Sequence, residues 1–110
     1  MSRPLEEGIF RVVENDGTRI VVELSDATHP VFRAHFENNP ILPGFMQIDI
    51  IAAVMKKRVR TISMAKFMKP ILPETTLIYS VAEGEKATRI RVQGQEGESF
   101  SDIKLLWDDL

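Results

Sequence analysis

Between residues 35 and 49 the chain places an imidazole, a glycine behind a proline and a carboxyl: His35, Pro43-Gly44 and Asp49. An imidazole with an ordinary pKa near ~6.5 accepts a proton at neutral pH, so His35 suits a general base. Asp49 lies in an apolar stretch that would desolvate it, favour its protonated form and fit it to act as an acid. Gly44 stands where a helix would start. Unpaired N–H groups and the positive end of the helix dipole can polarise a carbonyl there, and the missing side chain admits a ligand to the backbone.

Each residue also has a plain structural reading. A loop histidine can be merely solvated, a helical carboxyl can be a buried group with a hydrogen-bond partner, and a glycine can simply open a helix. His29, before Pro30, reads as a loop or capping residue. Phe32, Phe36, Phe45 and Phe67 read first as core, and Trp107 as packing at the end of a strand.

The elements that must position these groups follow from the sequence pattern. Ile9 to Val13 and Thr18 to Leu24 are β-rich runs around Asp16-Gly17, a hairpin turn signal. Ser25 to Pro43 contains Pro30, Asn38, Asn39, Pro40 and Pro43 and reads as a long shaped loop with one short extended piece. From Ile41 to Met55 the strongly polar side chains are Gln47 and Asp49, and the part after Gly44 is long enough for about three turns of buried helix. Strands are expected at Thr61 to Ile71, Thr76 to Glu83, Thr88 to Gln93 and Glu98 to Trp107, with Arg89-Ile90-Arg91-Val92 alternating most clearly. One helix after two strands, followed by four more strands, predicts an α+β fold: an antiparallel sheet wrapped around a central helix. The expectation is a single domain over residues 1–110.

Composition narrows the function. The chain has 110 residues, 44% of them hydrophobic, and a formal charge of −2 from 14 basic and 16 acidic residues, so no bulk charge favours nucleic acid or an anionic membrane. Without cysteine there is no disulfide framework, thiol nucleophile or cysteine-ligated metal, and two histidines make a multi-histidine zinc site a poor fit. The apolar run is too short, carries Asp49 and ends in Lys56-Lys57-Arg58, which argues against membrane insertion. Met1 to Gly8 lacks a signal-like apolar stretch, which makes the cytoplasm the default location.

The segment His35-Phe36-Glu37-Asn38-Asn39-Pro40-Ile41-Leu42-Pro43-Gly44-Phe45-Met46-Gln47-Ile48-Asp49 resembles the signature of the hotdog-fold 3-hydroxyacyl-acyl carrier protein dehydratases. In that family a histidine-phenylalanine pair leads through two prolines and a glycine into a central helix bearing an acid. Ala65-Lys66-Phe67-Met68-Lys69-Pro70-Ile71-Leu72-Pro73 resembles the strand after that helix, and Met46-Gln47-Ile48-Asp49 is most similar to the small dehydratases associated with aryl-polyene synthesis. The sequence departs from the pattern at Glu37 and Asn38, where proline and glycine usually follow the pair, and at Ala53, where many members have glutamine.

The resemblance implies dehydration of a 3-hydroxyacyl thioester to a trans-2-enoyl thioester in fatty-acid or related acyl-chain synthesis. It implies His35, Asp49 and Gly44 in catalysis, Phe36, Pro43, Phe45 and Ile48 beside the substrate, and no metal or other cofactor. It also implies a substrate carried on acyl carrier protein or coenzyme A, and a homodimer or dimer-based oligomer in which histidine and acid come from opposite subunits. Lys56-Lys57-Arg58 with Arg60 is either a solvated helix end or a docking patch for an acidic carrier. Two other functions remain open on the sequence: an acyl thioesterase using the same cleft, and a non-catalytic acyl-binding or regulatory protein.

Overall fold

The computed structural model describes residues 8–34 and 40–108. Its elements run β1 (Phe10–Asn15), β2 (Arg19–Leu24), α1 (Pro30–Ala34), α2 (Gly44–Met55), β3 (Val59–Phe67), β4 (Thr76–Glu83), β5 (Thr88–Gln93) and β6 (Ser99–Trp107). The strands form one antiparallel sheet in the order β1-β2-β4-β5-β6-β3. With α2 packed on one face, this is the expected hotdog architecture.

Local chemistry explains the turns. Gly17 adopts a positive φ of 92° at the tip of the β1–β2 hairpin, a conformation that costs glycine little. The Asp16 carboxylate accepts hydrogen bonds from the backbone N–H of Thr18 and Arg19, and these bonds hold it below its ordinary pKa. In the loop after β2 the short extended piece expected from the prolines is instead a helical turn, α1. Pro30 does not break that turn because it occupies the first helical position, where its N–H would be orphaned anyway. His29 caps it, its Nδ1 accepting from Val31 N–H at 3.1 Å.

The alternation of the strands supplies the core. Ile20, Val22, Leu77, Tyr79, Ile90, Val92, Ile103 and Leu105 face inward and pack with Met46, Ile48, Ile50 and Ile51 of α2. Full burial of such a side chain stabilises the fold by roughly 1.5–3 kcal/mol. Burial pushes the Tyr79 phenol well above its ordinary pKa. The opposite face is polar, with Arg89 and Asp102 joined by two hydrogen bonds of 3.0 and 2.6 Å.

Strand β3 behaves differently. It stands at the end of the sheet and, among the described residues, pairs only with β6. Register puts Ile62 and Phe67 opposite Leu105 and Ser101, on the inner face, yet they are 50% and 48% exposed. The strand ends at Phe67 rather than running to Ile71, because Met68 and Lys69 turn their N–H groups to the Phe100 carbonyl just before Pro70.

Candidate active-site cleft

The start of α2 is built from Pro43 and Gly44. Pro43 has extended geometry (φ −62°, ψ 149°) and no side-chain cap, and its carbonyl accepts from Met46 N–H at 3.0 Å and Gln47 N–H at 3.2 Å. Among the described residues no hydrogen bond takes up the Gly44 N–H, which leaves it at the positive end of a 12-residue helix.

Beside this helix start lies a cleft of about 370 Å³, lined by Ile41 to Gly44, Gln47, and Phe67 to Pro70. Backbone bonds fix both walls: Leu42 N–H donates to Ile71 at 2.7 Å, and Met68 N–H to Phe100 at 2.8 Å. The Phe67 ring crosses directly over Gly44, so that a Cβ there would lie 2.8 Å from Cε2 and 2.9 Å from Cζ. Glycine thus makes room for a close approach that a Cβ would have to push aside. Apolar walls around an N–H that no described residue takes up suit an acyl chain whose carbonyl meets the helix N-terminus.

The expected site residues divide into groups. Pro43 and Gly44 line the cleft. Ile48 is buried in the core, while Phe45 is 51% exposed one helical turn before Asp49. Asp49 is itself exposed, which corrects the expectation that α2 desolvates it: within one chain, the helix stripe carrying Phe45 and Asp49 faces outward. His35 and Phe36, together with Glu37 and Asn38, lie outside the described residues. Of the four phenylalanines read as core, Phe32 is core, whereas Phe45 and Phe67 are half exposed.

Of the cleft residues not picked out as site residues from the sequence, two bear on its shape and chemistry. Phe67 is one. The other is Gln47, visible as a lone amide in an apolar helix and buried with 4% exposure. Its Oε1 accepts from the Ser101 hydroxyl on β6, a partner 54 residues away that spacing along the helix does not reveal.

The basic end of α2 borders another cavity, of about 470 Å³. Lys57 lies 3.5 Å from Glu83 and 5.7 Å from the centre of the Trp107 ring, and Arg58 lies 3.9 Å from Asp108, so acidic neighbours balance much of this charge. Among the described residues no group of three or more histidine, cysteine or acidic side chains could hold a metal ion. No described helix is long and apolar enough to cross a membrane.

Comparison with known proteins shows the family of the chain. The ApeI-like family, described as ApeI dehydratase, matches residues 12–104. A 3-hydroxyacyl-[acyl-carrier-protein] dehydratase FabZ from Thermotoga petrophila is 34% identical over 98 residues, covering 76% of this chain and 69% of the relative. The FabZ of a Wolbachia species from Brugia malayi is 31% identical over 88 residues, covering 64% of this chain and 60% of its own length. Among solved structures, the dehydratase heterocomplex ApeI:P from Xenorhabdus doucetiae contains a chain that aligns with a TM-score of 0.74 at 24% identity, over 94% of this chain and 99% of that one.

Proposed function

The chain belongs to the ApeI-like dehydratase family, and from that premise we propose that it removes water from 3-hydroxyacyl thioesters to give trans-2-enoyl thioesters. The observation that carries this reading is the apolar cleft opening onto the Gly44 N–H at the start of α2. A thioester carbonyl seated there is polarised by that N–H and the helix dipole, which acidifies the C2 proton. His35 takes this proton. The C2–H electron pair forms the C2=C3 bond as the C3–O bond breaks, and Asp49 protonates the departing hydroxyl, or positions it, so that water leaves.

A second copy of the chain completes the site in this proposal. Strand β3 offers nine residues of edge, its inner face keeps Ile62 and Phe67 uncovered, and α2 turns Phe45 and Asp49 outward. An antiparallel β3–β3 pairing about a two-fold axis would satisfy the open edge and cover the apolar side chains. It would also remove Asp49 from water, giving the acid the desolvated setting that one chain does not provide. The acyl group is proposed to arrive on acyl carrier protein, in keeping with the names of the FabZ relatives.

The test is incubation of the purified protein with 3-hydroxyacyl and saturated acyl thioesters, following enoyl formation and free thiol separately. Enoyl product without thiol release supports dehydration. Thiol release from both substrates without enoyl product would establish a thioesterase, and binding without either product an acyl-binding protein.

A further inference from the structure

Among the described residues the buried polar side chains are Gln47, Thr88 and Ser101. Thr88 accepts from the Trp107 indole, a local contact at the end of the sheet. Gln47 and Ser101 instead bond to each other across the core, at the inner end of the cleft wall. Burying two polar groups, even bonded to each other, is often no better for stability than an apolar pair of the same size, so what the pair contributes is orientation. What this pair orients is the amide. The Ser101 hydroxyl occupies Oε1, which turns Nε2 away from Ser101. Among the described residues Nε2 makes no hydrogen bond, and no buried side-chain nitrogen or oxygen lacks a partner, so Nε2 is not sealed in the core, and Gln47 borders the cleft.

We propose that Gln47, held by Ser101, is a substrate-recognition residue whose Nε2 donates a hydrogen bond to the 3-hydroxyl of the acyl group in the cleft. This assignment rests on the dehydratase reading above. Gln47 follows Gly44 by three residues, about 4.5 Å along the helix axis, and helical side chains lean toward the N-terminus. Two donors thus stand close together on one cleft wall, the Gly44 N–H and the Gln47 amide. The 3-hydroxyacyl thioester presents two oxygens at similarly short range, since a single carbon separates its carbonyl from the carbon bearing the hydroxyl. A saturated chain leaves the amide unpaired in an apolar cleft, which penalises its binding. Once water has left, the enoyl product no longer carries the oxygen that Nε2 held.

The deciding experiment measures binding of 3-hydroxyacyl-pantetheine and of the saturated acyl-pantetheine of equal chain length to the full-length wild type, Gln47→Met and Ser101→Ala. Wild type should prefer the hydroxyacyl ligand by about tenfold or more. Gln47→Met should abolish that preference, weakening hydroxyacyl binding through the lost hydrogen bond and leaving saturated binding equal to or tighter than wild type, because no amide is then left unpaired. A wild type with no preference or no binding overturns the assignment, as does a variant that keeps the preference or weakens both ligands together. If Gln47→Met does not fold, Ser101→Ala decides: freeing the amide should remove most of the preference, and an unchanged preference overturns the proposal. Enoyl formation separates the two readings. A wild type that discriminates without forming enoyl product refutes the dehydratase and keeps the recognition role, whereas turnover without discrimination does the reverse.

Discussion

Replacing Gly44 by alanine would put a methyl group 2.8 Å from Cε2 and 2.9 Å from Cζ of Phe67. Carbon contacts are best at about 3.5–4.0 Å, so the ring must retreat by roughly 0.7 Å or more. Phe67 can do so, because it is 48% exposed at the end of β3, and Gly44 has no positive φ to strain an alanine. Displacing the ring costs about 0.5–1.5 kcal/mol, while alanine in a helix returns up to about 0.8–1.0 kcal/mol. Stability should therefore stay within about 1 kcal/mol of wild type by denaturant unfolding. Activity should not. The methyl and the displaced ring intrude on the cleft where the carbonyl must meet a donor, and misplacement on the order of 1 Å lowers kcat/KM by roughly ten- to a hundredfold. Phe67→Leu in the Gly44→Ala background, which removes the clashing ring atoms, should recover part of that loss. A folded Gly44→Ala enzyme with wild-type kcat/KM would refute the role of the helix start. A stability loss above about 3 kcal/mol would refute the claim that the ring yields.

Other outcomes follow from the same account. His35→Ala should abolish enoyl formation while unfolding cooperatively like wild type, and wild-type turnover by the folded variant would eliminate the proposed base. Asp49→Asn should lose dehydration but keep acyl binding, because the amide preserves size and removes the acid; a fully active variant would contradict its role. On the outer face, the Arg89 hydrogen bond and then its charge hold the Asp102 carboxyl below its ordinary pKa. Its folded value lies below the unfolded one, so this stabilisation is present above about pH 4 and disappears as pH falls through the folded value. Asp102→Asn should cost about 1 kcal/mol at neutral pH, the half-exposed Arg89 keeping it small, and the two unfolding curves should converge in acid. Parallel curves at every pH would show that the pair contributes nothing.

Much of the fold was legible because the inward positions of β4 and β5 alternate without interruption. Thr88 to Gln93 and Thr76 to Glu83 occur with the bounds read from the sequence, and Pro43-Gly44 marks the helix start. Pro30 misled because a proline reads as a breaker until its position in the turn is known. The setting of Asp49 was hidden for a different reason. An apolar helix looks buried all round, yet periodicity does not distinguish the stripe packed on the chain's own sheet from one left to another surface, as at Phe45 and Asp49. The Gln47–Ser101 pair depends on the register between β6 and the helix, a contact between distant residues that no local pattern records.

The central claim, dehydration in a site completed by a second copy, is tested most directly by mixing His35→Ala and Asp49→Asn subunits and measuring enoyl formation. If the two residues act across the interface, a heterodimer holds one site with both intact and one with neither. Activity should then appear only after subunit exchange, reaching at most about half the wild-type level per heterodimer. Confirmed heterodimers that form no enoyl product would contradict the shared site.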